Sequence, residues 1–144
     1  MPSSAEHAAR VREGLAFLDD PATQRHPYQA VIECFYTTLH MLEATVYDLT
    51  PKHRKRHFEN HGERTRFLSA CRFAPGDPFF PVAADYEALR GLSEQARYLA
   101  PAGTATSQPL RLPADFEQAK ALHTAVRRNL EALYENDKKK APWV

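Results

Sequence analysis

Eleven prolines punctuate this chain, and the stretches they leave uninterrupted constrain its fold more than any other feature. A proline inside a helix removes a hydrogen bond and clashes with the preceding turn, so a helix can run freely only between them. One such stretch runs from Pro27 to Pro51. In it Val31, Phe35, Leu39, Leu42 and Val46 recur at helical spacing, and Ile32, Met41 and Ala44 widen the stripe. A stripe that broad predicts a central helix touched on several sides, starting near Pro27 and ending about Leu49.

The other windows read the same way. Ala8, Val11, Leu15 and Leu18 predict a first helix over about 5–18, capped by Ser3 or Ser4 and stopped at Asp19-Asp20-Pro21. ATQRHP is a polar connector. Thr50-Pro51 resembles a helix start and Gly62 a C-terminal stop, after which Phe67, Leu68 and Cys71 turn inward from a second short helical piece. FAPGDPFFP is a loop. Tyr86, Leu89, Leu92, Ala96 and Leu99 predict a helix over about 82–99, and APAGTATSQPLRLP a longer loop. Phe116, Ala119, Leu122, Val126, Leu130 and Leu133 predict a last helix from about Pro113 to Asn136. No stretch of alternating β-branched residues competes. The expected architecture is all-α: an up-and-down bundle of four long helices plus short helical inserts, one domain over 1–137, followed by a frayed basic C-terminal tail over 138–144.

At 144 residues such a domain buries roughly two-thirds of its unfolded surface. The net charge of +1 excludes whole-protein attraction to nucleic acid, so any such affinity must come from a local patch. No apolar run approaches the roughly 20 residues that cross a bilayer, and MPSSAEHAARVREG lacks the layout of a secretion signal. A cytoplasmic protein with no membrane partner is expected. Cys34 and Cys71 stand alone, which predicts buried free thiols.

One patch stands out. TPKHRKRHFENHGERTRFL, residues 50–68, gathers Lys52, Arg54, Lys55, Arg56, Arg64 and Arg66 with His53, His57 and His61. Arginine forks suit phosphate oxygens, and histidine moves protons near neutral pH. Together they could cleave RNA without metal, histidine handling the proton and arginine the phosphorane charge. The alternative is a solvated, charged connector. His53, His57 and His61 would line one helical face, but the first and third lie about 12 Å apart at about 1.5 Å per residue. The surrounding cations also repel a metal, so neither metal nor cofactor is expected. On the central helix Tyr36, His40, Glu43 and Tyr47 share a face. They form either a satisfied polar network or dimer contact, or a site in which Glu43 orients His40 toward the basic run.

Three pieces carry a resemblance: YTTLHMLEATV, HGERTRFL and DYEALRGLSEQARYL. Tyr36, Leu39 and His40, then His61, Arg64 and Leu68, then Tyr86, Leu89, Ser93, Ala96, Arg97 and Tyr98 are similar, in order and spacing, to bacterial HEPN-type helical proteins over roughly 28–100. The resemblance implies a homodimeric helical bundle. Many such proteins are metal-independent ribonucleases of toxin–antitoxin, defence or RNA-processing systems that use an R-x(4–6)-H pair. Others bind a nucleotide or a partner protein, such as an antitoxin or nucleotidyltransferase. Arg56 and His61 have the pair's spacing but follow the second helix, whereas the family's pair usually opens a late helix. The implied catalytic set is His61, Arg64, Arg56, His40 and Tyr36, with Lys52, Arg54, Lys55, Arg66 and Arg97 at phosphate.

Overall fold

A computed structural model describes residues 2–50, 57–97 and 113–144, all of whose regular elements are helical. The long helices follow the proline windows: α1 (Ser4–Asp19), α2 (Pro27–Leu49), α4 (Phe80–Arg97) and α5 (Ala114–Asn136), with a shorter α3 (His61–Arg72) between the second and third of them. Lys52, His53, Arg54, Lys55 and Arg56, and residues 98–112, on which fall the end of the expected helix over 82–99 and most of the expected loop APAGTATSQPLRLP, lie outside the described residues.

Local chemistry sets the boundaries. Ser3 caps α1 in a reciprocal box: Glu6 N–H donates to Ser3 Oγ at 3.3 Å, and Ser3 N–H donates to Glu6 Oε2 at 2.6 Å. The Asp20-Pro21 stop becomes a 3-10 turn over Pro21–Arg25, opened by Ala22 N–H donating to Asp20 Oδ1 at 2.9 Å. Gly62 is not a C-terminal stop. It sits in the first turn of α3, whose start is set by Asn60 accepting from Glu63 N–H at 3.0 Å.

α2 is the axis of the molecule, packing against α1, α4 and α5. α4 also touches α5 and α3. Ser4 Oγ donates to Asp48 Oδ2 at 2.8 Å, so α1 runs antiparallel to α2. Tyr134 donates to the same carboxylate oxygen at 2.8 Å and His123 meets Thr38 at 3.1 Å, so α5 runs parallel to α2. The core along these seams includes Val31, Phe35, Leu42, Leu68, Leu89, Val126 and Leu130, each at most 1 % exposed.

The α1–α2 seam depends on Gly14. A Cβ there would lie 2.0 Å from Thr37 Oγ1 and 2.7 Å from Glu33 Oε1. Alanine at an exposed helix position gains up to about 1 kcal/mol over glycine, but overpacking costs about 1–3 kcal/mol. Thr37 is fully buried with a short branched side chain that cannot swing clear. Gly14→Ala is therefore expected to destabilise by about 1–2 kcal/mol in urea titrations; a more stable variant would mean the two helices separate freely.

The C-terminal segment is packed, contrary to the frayed tail expected. Lys138 adopts a left-handed φ of 55°. Lys139 N–H donates to Tyr134 O at 2.8 Å and Lys138 N–H to Glu135 O at 2.9 Å, which closes α5 and reverses the chain. Ala141 and Trp143 are thereby buried. The indole meets Tyr134 edge-on at 5.6 Å and donates to Glu131 Oε1 at 2.9 Å, while Arg12 donates to Pro142 O at 2.8 Å. These contacts tie the chain end to α5 and α1.

Candidate functional site

The polar face of α2 is divided among three neighbours rather than gathered in one cleft. Tyr36 accepts a short hydrogen bond from Arg97 of α4, whose guanidinium carbon lies 5.9 Å from the Tyr36 ring centre. His40 meets His7 of α1, Nδ1 to Nδ1 at 3.0 Å. Glu43 accepts from Arg64 of α3 at 2.5 Å, with side chains 5 % and 10 % exposed. His40 is thus held by His7, while Glu43 is taken by Arg64.

Arg64 is the hub. Its Nη1 goes to Glu43 and its Nη2 donates to His61 Nδ1 at 3.0 Å. A guanidinium can only donate, so His61 Nδ1 accepts, and the neutral ring carries its hydrogen on Nε2. His61 opens α3, is exposed, and stacks on Phe35 with ring centres 6.4 Å apart. Its pKa is lowered, first by partial burial and then by Arg64, Arg97 and Arg90, with Glu94 opposing. Arg90 itself bonds Glu87 at 3.1 Å and Glu94 at 2.7 Å. Tyr86 lies beneath, its ring 5.4 Å from that of Phe35, and burial pushes its phenol up against the pull of Arg64. Tyr86 Oη and Arg64 Nε are buried without a hydrogen-bond partner among the described residues.

The sequence-predicted residues therefore separate. His61, Arg64, Tyr36 and Arg97 converge where α2, α3 and α4 meet. Arg66 does not join them: two residues after Arg64 on one helix it is turned by roughly 200°, and it lies beside Phe58 and Phe67. Arg56 and the cations at 52, 54 and 55 fall outside the described residues. His57 precedes α3, so it and His61 do not share a helical face as the ladder reading required. Among the described residues no three His, Cys, Asp or Glu side chains come together as metal ligands. Both thiols are buried and free, and burial pushes Cys34 and Cys71 up to about 12, which leaves them unreactive as nucleophiles.

His7 was not singled out from sequence, although it occupies the same inward face of α1 as Val11 and Gly14, four and seven residues on. The His7–His40 pair has a pH consequence. With Nδ1 facing Nδ1, one ring must donate and the other accept, so protonating both sets two N–H groups against each other. Burial, then His7, Arg10 and Arg64, lowers His40 to about 4. Burial also lowers His7, against the pull of Glu43 and Glu6. Because the folded values lie below the ordinary 6.5, the unfolded chain binds more protons in that window. Stability from this pair is complete above the ordinary imidazole value and is lost as pH falls toward about 4. Melting temperature is expected to fall on acidification across that interval, less steeply in His40→Gln. Identical slopes would show that other groups carry the loss.

Among the described residues no helix is long and apolar enough to cross a membrane. No protein-family model, curated protein or solved structure matches this chain.

Proposed function

We propose that this is a HEPN-type helical-bundle protein of the cytoplasm that works on RNA as a homodimer, using the His61 face to hold the phosphodiester backbone. The order and spacing of Tyr36-Leu39-His40, His61-Arg64-Leu68 and Tyr86 through Tyr98 support the family, the dimer and the link to toxin–antitoxin or defence systems. The observation that carries the binding reading is the fixed tautomer of His61. With Nδ1 held by Arg64, an exposed Nε2–H is presented as a donor for a phosphate oxygen, beside the charge of Arg97 on Tyr36.

In this reading Arg64 is a positioning residue. Two of its nitrogens are already engaged by Glu43 and His61, and a buried guanidinium so engaged does not reach a phosphorane. Metal-independent cleavage then falls to His61 with Arg97 and Tyr36 as its neighbours. The engagement of Arg64 also favours the second reading, a non-catalytic module that holds a nucleotide or a partner protein on this same face.

The test is incubation with mixed RNA in EDTA, alongside salt-dependent binding, for the unaltered chain, His61→Ala and Arg97→Ala. Both side chains are exposed, so both variants should keep their melting temperature. Each is expected to weaken RNA affinity about tenfold, and His61→Ala to abolish any cleavage. Salt-sensitive binding without cleavage selects the non-catalytic reading. No binding and no cleavage, or results untouched by either substitution, would sink the site.

A further inference from the structure

α1 and α5 both pack on α2, but among the described residues they make no packed seam with each other. Where the C-terminal end of α1 diverges from α5, a cavity of about 590 Å³ remains, closed at one side by the 3-10 turn. That volume lies inside the range of roughly 300–1,000 Å³ typical of small-molecule sites. It shares no residue with the His61 cluster.

Its chemistry is selective. Leu15, Leu18, Ala30 and Phe116 supply apolar wall. The charges are balanced and mostly spent: Arg127 pairs with Glu131 at 2.8 Å, Lys120 with Glu117 at 2.7 Å, and Asp20 caps the 3-10 turn. Such a rim provides little net field for a strongly charged ligand.

The inner wall holds His123, which is 8 % exposed. Its tautomer is set by its neighbour. Thr38 donates its hydroxyl hydrogen to Cys34 O at 2.7 Å, so toward His123 Nδ1, 3.1 Å away, Thr38 Oγ1 can only accept. Nδ1 therefore carries the hydrogen. Burial lowers the pKa of the ring, with the Cys34 carbonyl opposing, which keeps the ring neutral. The two nitrogens of an imidazole point apart, so Nε2, with its lone pair, is the one turned from α2.

We propose that this cavity binds a small, uncharged, largely apolar molecule that donates an N–H or O–H hydrogen bond to His123 Nε2. A molecule of the same shape without the donor leaves that nitrogen unpaired and binds less well.

Indole and 1-methylindole differ in that one hydrogen and serve as probes for a ¹H–¹⁵N NMR titration of the full chain. Indole is expected to give saturable shifts at amides around Leu18 and Thr124 and to move the His123 ring ¹⁵N resonance. 1-Methylindole should bind about five- to tenfold more weakly. His123→Phe should remove the preference. Thr124→Trp, which adds bulk at the exposed rim, should block both ligands while the melting temperature holds. The proposal is overturned by no saturable shift with indole, by equal affinity for the two probes, or by shifts centred elsewhere. The comparison on the unaltered chain decides the matter even if His123→Phe does not fold.

Discussion

Arg64→Ala is expected to lower the unfolding free energy by about 3–5 kcal/mol, the usual cost of removing one partner from a buried ion pair. Domains of this kind hold about 5–15 kcal/mol in total, so the variant should be near the edge of folding. The size comes less from the lost attraction than from what is left behind: Glu43, 4 % exposed, without the guanidinium that donates to it and balances its charge. His61 also loses its hydrogen-bond partner. The contrast that isolates this cause is the double replacement Glu43→Leu with Arg64→Met, which removes both charges and keeps the volume. It should recover most of the loss in urea titrations. A cost below about 1 kcal/mol for Arg64→Ala would place the pair with weak surface bridges. Because the single variant is so destabilised, a loss of RNA binding in it would say little about phosphate contact, and the function test rests on His61 and Arg97 instead.

Trp143→Ala is expected to cost about 3 kcal/mol, as for other large buried aromatics, and to lower the melting temperature by roughly 10 °C. The indole is 4 % exposed, packs on Tyr134 and bonds Glu131. The neighbouring Val144 is 63 % exposed, and Val144→Ala should change nothing measurable. Trp143 is the one tryptophan of the chain, so its emission reports on the segment directly: blue-shifted when folded, red-shifted in step with global unfolding. Emission typical of exposed indole in the native protein would mean the terminus is detached.

The helices were legible because their determinants are local. Ser3 and Glu6, Asp20-Pro21, Pro27 and Pro113 act within a few residues, and the apolar stripes repeat with the helical period. Gly62 misled because its role depends on its neighbours on both sides: a glycine that ends one helix and a glycine in the first turn of the next look alike until Asn60 is seen capping Glu63. The segment 138–144 misled for a different reason. Its three lysines read as solvated tail, while the fate of Trp143 is set by Tyr134 and Glu131, groups presented by α5 only once the chain has reversed at Lys138.

For the site, the amino-acid pattern was enough for an all-α chain and for a broad central helix carrying Tyr36, His40 and Glu43 on one face; it gave His61 and Arg64 only as neighbours three residues apart, and their place on one helix came from Asn60 capping α3. Spacing along the central helix settles that face because it fixes which side chains project together. Tertiary structure alone decided that the face is shared out among Arg97, His7 and Arg64, that Arg64 is buried and committed while His61 stays exposed, and that α1 and α5 part to leave a cavity beside His123. Those outcomes depend on which helices approach and how closely, and that is set by complementary surfaces far apart in the chain, as at Gly14 against Thr37.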